Sequence, residues 1–106
     1  MKKLTANELR FISKKIQVNH GEFIVVVDTT DDISLQHEIG MKNIFCVDSN
    51  NNIIWQVFVT QDNASSLQDT FMYIDIKKEL KADTFFGMEY KIDLKTGEAK
   101  RIGWHK

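Results

Sequence analysis

The sequence has 106 residues, with 14 lysine and arginine residues against 15 aspartate and glutamate residues, one cysteine and no proline. A chain of this length buries about two-thirds of its unfolded surface, enough for one hydrophobic core, so we predict a single domain over residues 1–106. A hydrophobic fraction of 42% and a charged fraction of 27% exclude a disordered or low-complexity chain.

The start of the sequence does not predict a targeting signal. The basic start, Met1–Lys3, is not followed by the apolar run of about seven or more residues that a signal peptide needs, and no run approaches the ~20 residues that span a bilayer. The lone cysteine, Cys46, cannot form an intrachain disulfide and fits a reducing compartment. We therefore expect a cytoplasmic protein without a membrane partner.

The N-terminal residues contain a local helix signal. Thr5 places a hydroxyl three residues before the carboxylate of Glu8, which is the pattern of a capping box. The pattern predicts a short helix from about Ala6 to Lys15. In the alternative, residues 11–18 alternate as a strand and pair through a turn with residues 23–27. The residues leave both alternatives open.

The middle of the chain changes to the period of a β-strand. Residues 23–27 are apolar on both faces, which predicts a central strand. Residues 29–32 break the chain, and residues 43–59 are predicted as a hairpin. Its turn is the run Asp48–Asn52, because Asx side chains bond their own backbone and tolerate positive φ.

The C-terminal half predicts further strands after a polar, exposed loop at residues 61–70. The predicted strands are Phe71–Ile76, Leu80–Phe85, Glu89–Asp93 with Tyr90 and Ile92 inward, and a last strand that follows the turn 94–97 and ends in Ile102 and Trp104. The fold class is therefore predicted as mainly β: an antiparallel β-meander of six to eight strands with one short N-terminal α-helix.

Two of the hairpins resemble each other at a constant offset of 45 residues. The matching residues are Phe45, Val47, Asp48 and Asn52 in the first, and Tyr90, Ile92, Asp93 and Gly97 in the second. The stretch Tyr90–Glu98 resembles the repeat of quinoprotein-type β-propellers, in which an aromatic, an apolar residue and Asp precede a Thr-Gly turn. Two copies cannot close a propeller of about four or more blades, so the resemblance implies a blade-like meander without a quinone or other cofactor.

The same layout resembles that of small bacterial β-rich proteins. An Asp-turn-Ile-Trp-Gln hairpin is followed by a Tyr-x-Ile-Asp-x-x-Thr-Gly hairpin at the C-terminus. Proteins of this sort include immunity partners of bacterial toxins. The resemblance implies a non-catalytic protein that binds and neutralises a toxin domain.

The residue pattern predicts neither a metal site nor a catalytic residue. His20, His37 and His105 lack the spacing of metal ligands, and the five glycines are too dispersed for a phosphate-binding loop. Cys46 lies in an apolar strand, where a cysteine is usually a small core residue.

Charge is more informative when it is divided along the chain. Residues 1–20 carry a net charge of +4, residues 21–76 carry −8 and residues 77–106 carry +3. An acidic centre steers a basic partner, although acids in loops also serve solubility alone. The predicted partner-binding residues are Asp28, Asp31, Asp32, Asp62 and Asp69, with Trp55 or Phe58 as aromatic anchors. The leading hypothesis is an immunity or antitoxin protein that binds a cationic toxin, such as a nuclease domain.

Other functions and partners are also considered. A small-ligand-binding or enzymatic β-domain would use a pocket lined by Cys46, His37 and Trp55. Nucleic-acid binding is not expected, because lysines on strands more often protect sheet edges. A homodimer through an exposed edge is compatible with a chain that has no proline to block pairing.

Overall fold

The computed structural model describes residues 2–59 and 70–104, which form two β-sheets and two short helices. The fold is mainly β, as predicted. The elements are α1 (Ala6–Arg10), β1 (Ile12–Asn19), β2 (Glu22–Val27), α2 (Ile33–Ile39), β3 (Ile44–Asp48), β4 (Ile53–Gln56), β5 (Phe58–Val59), β6 (Phe71–Ile76), β7 (Leu80–Thr84), β8 (Met88–Ile92) and β9 (Glu98–Trp104). Neither described helix is long and apolar enough to cross a membrane.

The first sheet is antiparallel, in the order β1-β2-β3-β4. Strand β2 is central, as its two apolar faces predict. Ile24 and Val26 pack on one face of the sheet, whereas Val25 and Val27 pack on the other, and all four are fully buried.

The second sheet has the order β5-β9-β8-β7-β6 and is antiparallel except for the parallel pair β5 and β9. The chain enters it at Val57, which is fully buried and donates its N–H to the Ile44 carbonyl at 2.9 Å. The hairpin predicted over residues 43–59 therefore ends at Gln56 in the first sheet. Because this crossing separates β4 from β5, the described residues contain nine strands instead of six to eight.

The predicted N-terminal helix begins as expected and ends early. Its capping box is present: Glu8 N–H donates to Thr5 Oγ1 at 3.1 Å, and Thr5 N–H donates to Glu8 Oε1 at 2.7 Å. The extension to Lys15 is wrong, because Ile12–Asn19 forms β1. β-Branched residues on this strand, such as Ile16, pack against the core between the sheets. They can do so because every second side chain of a strand points to the same face.

Helix α2 was not predicted. Asp32 caps it by accepting the Leu35 N–H at 3.0 Å, and Leu35 and Ile39 pack against the first sheet. Its seven residues include only three large apolar side chains, and Ile33 is 71% exposed. Such a short helix has no clear period to distinguish it from a loop.

The main core fills the space between the two sheets. The intersheet core contains Ile24, Val26, Ile44, Cys46, Trp55, Val57, Phe71, Leu80, Tyr90 and Ile92, among others. Tyr90 and Ile92 point inward as predicted, and Phe71 packs edge-to-face on Tyr90 with ring centroids 5.3 Å apart. A smaller core lies on the outer face of the first sheet, beneath α2 and Leu4.

One buried amide links the two sheets. Asn43 is fully buried, and its Nδ2 donates to the carbonyls of Val27 and Phe71, both at 2.8 Å. Its Oδ1 accepts the Phe71 N–H at 3.0 Å. The side chain thus pairs with Phe71 as a neighbouring strand would, and it joins the end of β2 to the start of β6.

A second link joins the turn before β9 to β4. Trp55 Nε1 donates to the Leu94 carbonyl at 2.8 Å, and Gly97 lies against the indole. Gly97 has a φ of +83°, and a Cβ built on it would lie 2.5 Å from Trp55 Cε3. The turn therefore requires glycine both for its backbone conformation and for the close approach of the tryptophan.

Replacement of Asn43 tests the intersheet amide. Asn43→Ala leaves the Phe71 N–H and two carbonyls buried without their partner, so we expect a loss of roughly 2–5 kcal/mol in the free energy of unfolding. Urea denaturation measures it. Asn7→Ala, at an exposed position of α1, is the control and should change the free energy by less than about 0.5 kcal/mol. Similar values for the two variants would contradict the proposed linkage.

Two glycines with similar backbones separate conformational strain from steric contact. Gly21 has a φ of +78° and open space around the position of a Cβ, whereas Gly97 faces Trp55. We expect Gly21→Ala to cost about 1 kcal/mol from backbone strain alone. Gly97→Ala should cost about 1–3 kcal/mol more, because the indole must shift. Equal thermal destabilisation of the two variants would show that Trp55 does not press on this turn.

The turn of the β3–β4 hairpin makes stability depend on acid pH. Asp48 accepts hydrogen bonds from the side chain and backbone of Asn52 and from the Asn50 N–H, which lowers the pKa of its carboxyl, and Lys3 adds to the effect. A lowered folded-state pKa stabilises the fold above the unfolded pKa of about 3.9, and this contribution is lost as pH falls through the folded pKa. Asp48→Asn should therefore flatten the fall in stability in acid, as measured by urea denaturation across this range. An unchanged slope would contradict this role.

Candidate protein-binding surface

Three of the predicted acids lie together directly after β2. Asp28 Oδ1 accepts the N–H of Thr30 at 2.9 Å and its hydroxyl at 2.6 Å, and Asp32 caps α2. Asp31, between them, is exposed. The Asp28 N–H also donates to the Phe11 carbonyl at 2.8 Å. The acidic residues are thus held in a hydrogen-bonded turn.

This turn contacts two other segments at the same end of the molecule. Thr29 is buried, and its hydroxyl donates to Thr70 Oγ1 at 3.3 Å. The Thr70 carbonyl in turn accepts the Phe85 N–H at 2.8 Å. These two hydrogen bonds bring residues 28–32, Thr70 and the turn of Phe85 and Phe86 to the same end of the molecule, which we call the acidic–aromatic end.

The turn between β7 and β8 exposes two aromatic rings at this end. Phe85 is 61% exposed and Phe86 is 55% exposed, and their rings meet edge-to-face with centroids 5.4 Å apart. The turn is ordered by Gly87, with a φ of +89°, and by hydrogen bonds from Gly87 and Met88 to Thr84. Two large apolar side chains on a fixed turn are typical anchors of a protein interface.

The sequence-based prediction missed these two phenylalanines. It assigned Phe85 to a strand and gave Phe86 no role, whereas β7 ends at Thr84. The Phe-Phe-Gly run was a signal for their exposure. Successive side chains of a strand point to opposite faces of the sheet, so two adjacent phenylalanines beside a turn glycine cannot both point into one core.

The charge of the surrounding segment is negative. Between residues 28 and 43 the sequence has four acids, Asp28, Asp31, Asp32 and Glu38, against one base, Lys42. Arg10 borders the surface from α1, where its guanidinium lies 5.5 Å from the centroid of the Phe11 ring. The acids of this segment therefore outnumber its one base, and its net charge is negative.

The two predicted aromatic anchors do not join this surface. Trp55 is only 7% exposed and belongs to the intersheet core, so its role as a surface anchor is wrong. Phe58 is 37% exposed but lies on β5, at the opposite edge of the second sheet from β6. Asp62 and Asp69 lie outside the described residues.

The predicted pocket of Cys46, His37 and Trp55 is not formed. Cys46 pairs across the strands with Trp55, and both side chains lie in the intersheet core. His37 is exposed on α2, which packs on the other face of the first sheet. Burial raises the pKa of the Cys46 thiol to about 11, and Glu22 adds to the shift. A thiol with this pKa is not a ready nucleophile at neutral pH.

One open groove of about 360 Å³ lies elsewhere, at the far end of the second sheet. Acidic and basic side chains alternate along it, including Lys78, Glu79, Lys91, Asp93 and Lys100. Lys91 Nζ lies 2.9 Å from Glu79 Oε2, and this hydrogen bond lowers the pKa of the Glu79 carboxyl. Because the charges neutralise each other, the groove favours neither an anion nor a cation. No group of three or more His, Cys, Asp or Glu within residues 2–59 and 70–104 could hold a metal ion.

Comparison with known proteins identifies the family. A search of curated proteins found no match, and a search of solved structures found none either. One protein-family model, described as a domain of unknown function, matches residues 4–104, which include all eleven described helices and strands. The chain therefore belongs to the DUF7957 family.

Proposed function

We propose that this chain is a non-catalytic bacterial immunity or antitoxin protein that acts in the cytoplasm. It would neutralise a basic toxin domain, such as a nuclease, by binding it through the acidic–aromatic end. The observation that carries this proposal is the hydrogen-bonded series from Thr29 to Thr70 and from Thr70 to Phe85. This series connects the acidic turn to the turn that carries two exposed aromatic rings.

The two parts of the surface contribute differently to binding. Exposed carboxylates act over about 10 Å at ordinary ionic strength and raise the rate at which a basic domain associates. The rings of Phe85 and Phe86 would be covered only in the docked complex, so they slow its dissociation. A surface that has both features can bind a basic protein rapidly and form a complex with a long lifetime.

The local hydrogen bonds favour binding by reducing its entropic cost. Asp28 is held by Thr30, and Asp32 is held by the first turn of α2. A partner therefore meets carboxylates that are already positioned, and less conformational freedom is lost on association.

Neutralisation of the three acids tests the proposal. Where a gene adjacent to that of this chain encodes a basic domain, that purified domain is the probe, and stopped-flow binding measures its association. Adjacent genes that encode no such domain would contradict the proposal. Asp28→Asn, Asp31→Asn and Asp32→Asn together should lower the association rate about tenfold at low salt and reduce its salt dependence. Asparagine keeps both the turn and the helix cap, so the fold is preserved.

The matched control removes three acids from the groove at the far end of the second sheet. Glu79→Gln, Asp93→Asn and Glu98→Gln change the net charge by the same amount and should leave the association rate within about twofold. Phe85→Ser with Phe86→Ser should instead raise the dissociation rate at least about tenfold. The absence of a complex with the native chain, or equal loss in the control, would contradict the proposed function.

A further inference from the structure

The edges of the two sheets differ in how they are protected. In the first sheet, β1 carries Lys14 and Lys15 and has two irregularities in its register with β2. The other edge, β4, is bordered by the N-terminal segment, where Ile53 N–H donates to the Lys2 carbonyl at 2.7 Å. In the second sheet, β5 has only two residues. Lysines, bulges and short strands are the usual defences of an edge against pairing.

Strand β6 has only one of these defences, an irregularity in its register with β7 between Phe71 and Tyr73, at the end that Asn43 already occupies. It has six residues, contains neither lysine nor proline, and among the described strands it pairs only with β7. Asn43 already occupies the N–H and the carbonyl of Phe71, so the residues that could pair begin at Met72. Tyr73 is 70% exposed on the outer face, whereas Ile76 is only partly covered by the core on the inner face. The edge therefore offers five residues, Met72–Ile76, for pairing.

We propose that β6 pairs antiparallel with β6 of a second copy of this chain, about a two-fold axis at Ile74. In this register Tyr73 lies opposite Asp75 of the second copy, and the phenol O–H can donate to the carboxylate on both sides of the axis. On the inner face Met72 lies opposite Ile76, which covers two partly exposed apolar side chains. A two-fold contact of this kind is self-complementary and closes at a dimer.

Charge complementarity favours this orientation over a parallel one. Lys77 and Lys78 follow β6 directly, whereas the acidic residues 28–32 adjoin Thr70 at its start. Antiparallel pairing brings Lys77 and Lys78 of one copy to the end of β6 in the other copy at which the acidic turn lies. A parallel pair would set the lysines against lysines and the acids against acids. This inference stands on the strand edge and its flanking charges, and does not rest on the proposed function.

Reversal of the lysine charges tests the orientation. Sedimentation equilibrium of the native chain should give the mass of a dimer that dissociates on dilution and at high salt. Lys77→Glu with Lys78→Glu should raise the dimer dissociation constant at least about tenfold, because the glutamates then face the acidic turn. Lys14→Glu with Lys15→Glu makes the same charge change on β1 and should leave the constant within about twofold. A monomeric native chain, or equal effects of the two variants, would overturn the proposal.

Cysteine cross-linking tests the register independently of stability. Opposite residues of an antiparallel pair have Cα atoms about 4.5–5.5 Å apart, within disulfide range. A mixture of Tyr73→Cys and Asp75→Cys chains should form a disulfide-linked dimer faster than either variant alone, because these positions face each other only between copies. Cys46 is buried and should not compete. Equal rates in the mixture and in the separate variants would exclude a two-fold axis at Ile74.

Discussion

The buried carboxamide of Asn43 is the constraint on which the arrangement of the two sheets depends. Its donor and acceptor pair with both backbone groups of Phe71, and its second donor bond holds the last carbonyl of β2. A buried amide that lost these partners would cost far more than an apolar contact, so one relative position of β2 and β6 is strongly favoured. The contact of Thr29 with Thr70, and therefore the acidic–aromatic end, follows directly from that position.

The two similar hairpins serve packing between the sheets in this chain. In both, an aspartate side chain accepts backbone N–H groups of its own turn, as Asp48 and Asp93 show. Positive φ falls on Gly97 in the second hairpin and on Asn51, not Asn52, in the first. The glycine is needed where the second turn meets the indole of Trp55. The propeller-like pattern thus describes two hairpins whose turns are each capped by an aspartate.

Local periodicity in the sequence predicts most of the strands, but it does not predict how they are arranged in the two sheets. Residues 23–27 and 71–76 alternate or are apolar throughout, and both are strands. Val57 continues the apolar run of a strand, so no local signal shows that the chain changes sheets there. The early end of α1 also has no local signal, since a capping box starts a helix but does not set its length. The acidic turn was visible as charge, whereas the exposure of Phe85 and Phe86 depends on where β7 ends.

Native-state hydrogen exchange at the Phe71 amide tests the central role of Asn43 most directly. This N–H belongs to the first residue of an edge strand, and its acceptor is a side chain instead of a neighbouring strand. If Asn43 holds the sheets together, the amide should exchange only through global opening, as slowly as the buried amides of β2. Exchange near the rate of an unfolded chain would contradict the account, because the two sheets would then separate locally without loss of the rest of the fold.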